Sequence, residues 1–197
     1  MDSLKLKFTD TLRREIINGK VYMMAGTTDD HASAVLNLTA ILRNYLRGKK
    51  CRVFGEGLKI KFDEDSPEVL PDIKIVCDPD KIKRTYIDGA ADFIAEVLST
   101  RTRTKDETEK KDLYEKHGVK EYWLIDTDRK TIEVNILKDG KYIKDYTYTR
   151  FNEDDIEDIE ATGNEAEKEM IKIKTIKTSL FGDDLIIYID DVFENID

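Results

Sequence analysis

The sequence predicts an α/β domain, and three stretches carry that reading. Residues 92–98 and 119–126 are apolar, strand-like runs separated by a helical segment, all within 35 residues. That is a βαβ unit, so its two strands should run parallel, joined by a right-handed crossover. Residues 131–137 and 141–149 are two further strand-like runs on either side of Asp139-Gly140, the dipeptide of a tight hairpin. From Asp29 to Arg47 the residues Val35, Leu38, Leu42, Tyr45 and Leu46 recur at helical spacing, and Gly48 stops the run.

Taken in order, Thr9 to Asn18 reads as a short helix closed by Gly19, and residues 20–24 as a brief strand. The long helix starts at Asp29 or Asp30. Strands are expected at about 51–55, at 58–62 with clean alternation, and at 72–77 after a turn around Pro67. Thr104-Lys105-Asp106-Glu107 has the spacing of a capping box, so a helix should begin there and end at Gly118. Trp123 alternates with Tyr122 on the strand that follows and belongs to the core. Residues 151–170 have weak periodicity and read as an acidic insertion, helical or mobile. Residues 175–189 return to strand character as a C-terminal β-hairpin extension. The 197 residues are expected to form a single domain, 1–197, large enough to bury a core.

The charge is unevenly spread. Of a net −9, residues 151–170 hold −8, with nine acids against Lys168 alone, so the rest of the chain sums to about −1. A near-neutral body with basic clusters at 47–52, 81–84 and 101–105 permits a DNA partner that the overall charge would repel. No apolar run reaches the roughly 18 residues of a membrane span. The first residues lack the apolar core of a secretory leader. Cys51 and Cys77, 26 apart and without CxxC spacing, read as reduced core residues of a cytoplasmic protein, neither a zinc site nor a disulfide.

The chemistry concentrates on two strands. Pro71-Asp72 opens one, where a side chain can face a cleft, and Glu96 lies among Phe93, Ile94, Ala95, Val97 and Leu98 on the next. An ionised carboxylate in a core strand is costly unless it is paired or binds a metal. Lys110 lies three and four residues before Leu113 and Tyr114 on the buried stripe of its helix, with Asp106 one turn back. The strand rises about 7 Å beyond Glu96 and the helix returns about 9 Å to Lys110, so Asp72, Glu96 and Lys110 converge. Two carboxylates and a main-chain carbonyl suit Mg²⁺ or Mn²⁺, and a lysine beside them can orient a water or neutralise a phosphate.

Pro71-Asp72, then Glu96-Val97-Leu98-Ser99 with Thr102, Asp106, Lys110 and Tyr114, then residues 118–126 together resemble the Uma-two family of proposed restriction endonucleases, in the PD-(D/E)XK superfamily. The opening Glu15-Ile16-Ile17-Asn18-Gly19-Lys20-Val21-Tyr22 and His31 resemble that family too. The likeness covers about residues 12 to 137 and the last strand. It implies a restriction-endonuclease-like mixed sheet flanked by helices, and a Mg²⁺-dependent nuclease core with Asp72 and Glu96 as metal ligands. The superfamily lysine would stand two after the glutamate, where this chain has Leu98; in this family it has moved to the helix, as Lys110. Thr100 replaces the family's usual proline.

The expected function is a Mg²⁺- or Mn²⁺-dependent DNA endonuclease. Asp72 and Glu96 would bind the metal with the Val97 carbonyl, and Lys110 would assist the attacking water. Glu15, His31 and Asp106 are accessory candidates, and Arg101, Arg103 and Lys105 are candidate DNA contacts. The alternative is a non-catalytic nucleic-acid- or protein-binding module that keeps the fold. Restriction-like nucleases often pair to cut two strands, and the hairpin 131–149 offers an edge for a homodimer.

Overall fold

A computed structural model describes residues 14–17, 20–23, 27–63 and 68–196. Helix α1, Asp29–Tyr45, begins where the Thr28 hydroxyl accepts the His31 N–H at 3.2 Å, with Asp29 and Asp30 favouring the positive end of the helix. Ala34, Leu38, Leu42 and Leu46 recur every four residues and are buried.

The main sheet has six strands in the order β11-β10-β9-β8-β6-β3. These are β3 Arg52–Phe54, β6 Ile73–Val76, β8 Phe93–Val97, β9 Glu121–Asp126, β10 Thr131–Lys138 and β11 Lys141–Thr149. Strands β8 and β9 run parallel, as a βαβ unit requires, and the other pairings are antiparallel, which makes the sheet mixed as expected. The β10–β11 turn sits on Asp139 and Gly140, both at positive φ (51° and 77°). A bulge leaves Asp145 unpaired on the edge strand β11.

Alternation sorts the sheet into two faces. Ile73, Ile75, Phe93, Ala95, Val97, Trp123 and Ile125 meet α1 and the C-terminal elements in one core. Val76, Ile94, Tyr122 and Leu124 meet Leu113, Tyr114 and a small second sheet in the other. That small sheet joins β4 Lys59–Lys61 to β5 Glu68–Val69 and, in parallel, to β7 Tyr86–Asp88. Strands β5 and β7, of two and three residues, fall outside the strands expected from the sequence. The C-terminal hairpin is β12 Thr175–Thr178 with β13 Gly182–Tyr188, followed by one helical turn, Ile189–Val192.

The crossover helix, α2, is not uniform. Arg103–Lys105 forms an α-turn, Asp106–Lys110 a π-helical turn, and Lys111–Lys116 returns to α, ending near Gly118 at φ 79°. Thr104 is not a cap: it lies inside the helix, whose N-cap residue is Thr102, and the Ser99 hydroxyl accepts the Thr102 N–H at 3.3 Å. The acidic insertion is helical, as α3 Glu153–Thr162 and α4 Glu165–Met170. Each begins in a reciprocal capping box, Asn152 with Asp155 and Asn164 with Glu167, which outweighs the weak apolar periodicity.

Two further expectations are corrected. Arg14–Ile17 is a strand, β1, paired with β2 Lys20–Met23, and not the end of a helix; residues 9–13, 18 and 19 lie outside the described residues. Cys51 and Cys77 are joined in a disulfide. The β3–β6 register pairs Arg52 with Val76, so the next residues out, Cys51 and Cys77, stand opposite one another. Sequence separation carries no register, and the pair therefore gives no argument about compartment. Among the described residues, no helix is long and apolar enough to cross a membrane.

Candidate functional site

Strand register builds the site. Ile73 pairs with Ala95, which sets Asp72 opposite Glu96, and Phe54 pairs with Lys74, which carries Glu56 level with Asp72 just past β3. Three acids therefore form a row across one end of the sheet. The N-terminus of α1 brings His31 to the same end.

The contacts within the row are specific. Asp72 Oδ2 accepts the Val97 N–H at 2.8 Å and lies 3.3 Å from His31 Nε2. The Asp72 N–H reaches Glu96 Oε2 at 3.4 Å. Glu96 Oε1 accepts from Lys110 Nζ at 2.9 Å and from the Tyr114 hydroxyl at 2.7 Å. The same ammonium lies 3.2 Å from Asp106 Oδ1, close enough for charge pairing but off the line of a hydrogen bond. Asp72, Glu96, Asp106 and Lys110 are all at least 95 % buried, so unpaired charge here would be costly. The structure thus brings together the expected Asp72, Glu96 and Lys110, with His31 and Asp106 beside them.

The π-turn explains how one helix supplies three of these groups. Four α-helical residues overshoot a full turn by about 40°, whereas four residues of a wider π-turn fall short by roughly 30°. The π segment 106–110 followed by the α segment 110–114 therefore keeps Asp106, Lys110 and Tyr114 on one stripe facing Glu96. The Tyr122 hydroxyl donates to the Asp106 carbonyl at 2.9 Å, satisfying a group in the wide turn.

Burial and charge act against each other throughout. Burial pushes the Asp72 carboxyl up, but His31, Lys110 and the Val97 N–H hold it below the ordinary carboxylate range. Burial lowers His31, yet the Asp72 hydrogen bond and charge win, so the ring keeps its proton more strongly than an ordinary histidine. At Asp106 burial prevails over Lys110 and Thr102, and the carboxyl is raised. Burial brings Lys74 down to about 8, against the pull of Glu96, Asp72 and Glu56.

Other candidates are placed less centrally. Arg103 is engaged by Asp126 at 2.6 Å, with Asp128 at 3.7 Å and Glu107 at 3.8 Å. Arg101 is exposed beside it, and Lys105 half-buried. Glu15 sits opposite Tyr22 in the β1–β2 pair, and its side chain lies outside the described residues. The sequence reading missed Glu56 and Lys74. Lys74 carried the same signal as Glu96, a charge inside an apolar strand, whereas Glu56 has none: only register places that Gly-flanked loop residue at the site.

One ligand atom each from His31, Glu56 and Asp72 lie within 4.8 Å of one another. A neutral imidazole with carboxylate oxygens fits a divalent ion, which would displace the proton Asp72 helps His31 to hold, and the nitrogen favours Mn²⁺ over Mg²⁺. The oxygens of Glu96 adjoin this set but are also held by Lys110, Tyr114 and the Asp72 N–H.

Comparison with known proteins follows the same lines. Residues 2–163 match the Uma2 family model, described as "Putative restriction endonuclease". An "Uncharacterized protein slr1290" of Synechocystis sp. is 27% identical over 113 residues, 57% of this chain. The chain spans 60% of that curated relative's length. A crystal structure titled as a "putative nuclease belonging to DUF820", from Anabaena variabilis, superposes with a TM-score of 0.67, covering 91% of this chain and 89% of that one. At 18% identity the likeness is one of fold.

Proposed function

The chain belongs to the Uma2 family, and from that membership and the buried charge cluster we propose that it is a Mg²⁺- or Mn²⁺-dependent DNA endonuclease. The observation that carries the reading is the convergence of Asp72, Glu96 and Lys110 in one hydrogen-bonded cluster at the end of the sheet. A structural role alone would not need two carboxylates, a lysine and a histidine at a shared row with an acid, Glu56, at its rim.

Asp72 and Glu96 would hold the ion with the Val97 carbonyl, and His31 and Glu56 are the adjoining donors. A divalent ion there would supply charge neutralisation and a more acidic water. Lys110 would orient the attacking water and neutralise charge that builds on the phosphate. Tyr114 fixes the rotamer of Glu96, and Asp106 steadies the ammonium from below. Arg101, just before α2, and Lys105, in its first turn, would be the contacts to a phosphate backbone.

A second reading, a non-catalytic nucleic-acid- or protein-binding module, is favoured by one observation: both Glu96 oxygens already have partners within the chain. Plasmid cleavage separates the two. Wild type is expected to cut with Mn²⁺ or Mg²⁺ and to stop in chelator, while Asp72→Ala and Glu96→Ala do not cut. Cleavage that persists in both variants rules out the proposed centre. DNA binding that is unchanged in chelator, with no cleavage under either ion, supports the binding module.

A further inference from the structure

Lys74 is fully buried, on the same face of β6 as Asp72 and one pleat further in, about 7 Å along the strand. Its ammonium donates to the Pro71 carbonyl at 2.8 Å. That carbonyl belongs to the peptide whose N–H, on Asp72, reaches Glu96 Oε2. One peptide dipole is therefore held between a cation at its oxygen and a carboxylate at its N–H, and the arrangement polarises in the favourable sense. Glu96, Asp72 and Glu56 all act electrostatically on the Lys74 ammonium.

The charges explain why a lysine stands there. The proposed ligand carboxylates, Asp72 and Glu96, interact with two buried ammonium groups, Lys110 and Lys74, and Asp72 also with the His31 ring. Lys110 has a proposed role toward the phosphate; Lys74 has none, since it lies a row inside the site and its hydrogen bond goes to main chain. We propose that Lys74 is a built-in counter-cation that balances the metal-binding carboxylates in the metal-free protein, making it stable without metal and limiting its affinity for a divalent ion. The inference rests on the metal-binding reading above. It predicts two effects of opposite sign on removing the charge: metal-free stability falls, because a buried carboxylate loses its compensation, and ion affinity rises, because a like charge near the ion is gone.

The test uses the full chain at neutral pH, with calorimetric titration of Mn²⁺ alone and thermal melts with and without Mn²⁺. Lys74→Met removes charge and hydrogen bond together. Lys74→Gln keeps a donor for the Pro71 carbonyl, removes only the charge, and serves if the methionine variant folds poorly. Both are expected to melt lower than wild type without metal, to bind Mn²⁺ about tenfold more tightly, and to show a larger Mn²⁺-induced rise in Tm. Affinity equal to wild type, or affinity and stability falling together, overturns the inference and makes Lys74 an ordinary packing residue. If wild type and both variants bind no Mn²⁺, the metal reading itself fails and takes this inference with it.

Discussion

Glu96 and Glu121 are buried glutamates on adjacent parallel strands, and the chain holds them in opposite ways. Among the described residues Glu121 is met by neutral donors: Trp123 Nε1 at 2.7 Å on one oxygen, and Thr178 Oγ1 at 2.9 Å, Ser179 Oγ at 2.8 Å and the Leu180 N–H at 3.1 Å on the other. The last three of those donors belong to β12 and the turn after it, so Glu121 fastens the C-terminal hairpin to the sheet. Glu96 shares its space with a cation, a phenol and a second carboxylate's main chain, at the sheet end where His31 and Glu56 meet Asp72. Burial alone therefore does not mark a reactive carboxylate. A closed shell of neutral donors marks a fastening, and an open row of mixed charges marks a candidate site.

The contrast can be broken experimentally. Glu96→Ala should lower metal-dependent DNA cleavage by about 10³-fold, roughly 4 kcal/mol of transition-state stabilisation, measured on plasmid substrate. Glu121→Ala should do the reverse, losing about 3 kcal/mol in urea unfolding because four donors lose their acceptor, while Mn²⁺ titration stays as in wild type. Loss of Mn²⁺ binding in a folded Glu121→Ala protein would abolish the distinction between the two residues.

Two smaller effects sharpen it by testing ties away from the row. Replacing Cys51 and Cys77 together by serine opens a loop closed over a separation of 26 residues. A loss near 3 kcal/mol is expected in unfolding experiments, without a change in Mn²⁺ affinity. Asp126, at the end of β9, is lowered: burial pushes it up, but Arg103 and the Arg129 N–H outweigh that. A carboxyl lowered on folding contributes fully above its unfolded pKa, about 3.9, and loses that contribution as pH falls through its folded pKa. Asp126→Asn should therefore cost about 1 kcal/mol at pH 7, and the difference from wild type should close below about pH 4. A difference that persists or grows in acid would show that the pairing with Arg103 is not its source.

The frame of the fold was legible because periodicity reports burial directly. The parallel β8–β9 pair, the Asp139-Gly140 hairpin and helix α1 all followed from patterns of two or of three and four. Asp72, Glu96 and Lys110 were legible for a related reason, since charges in apolar stretches need compensation. The same signal does not by itself distinguish Glu96 from Glu121, because three of the four donors that close around Glu121 come from residues 178–180, far along the chain. Register was the information most often missing. It joins Cys51 to Cys77 and brings Glu56 beside Asp72, and no local pattern encodes either. The Thr104 capping box was a local pattern not realised, because the helix already starts at Arg103, one residue ahead of it.

The wide turn at Asp106–Lys110 makes chain length itself a determinant of the site. A substitution in an ordinary surface helix alters one side chain and leaves its neighbours in phase. Excising one residue from this turn, even the exposed Thr108, would return the helix to regular winding and swing the preceding segment by about 100° relative to Lys110 and Tyr114. Asp106 would leave the stripe and the loop bearing Arg101 would turn with it, with every other amino acid unchanged. In this segment a single-residue deletion is a graver lesion than most replacements, and related chains should tolerate exchange of letters here more readily than gaps.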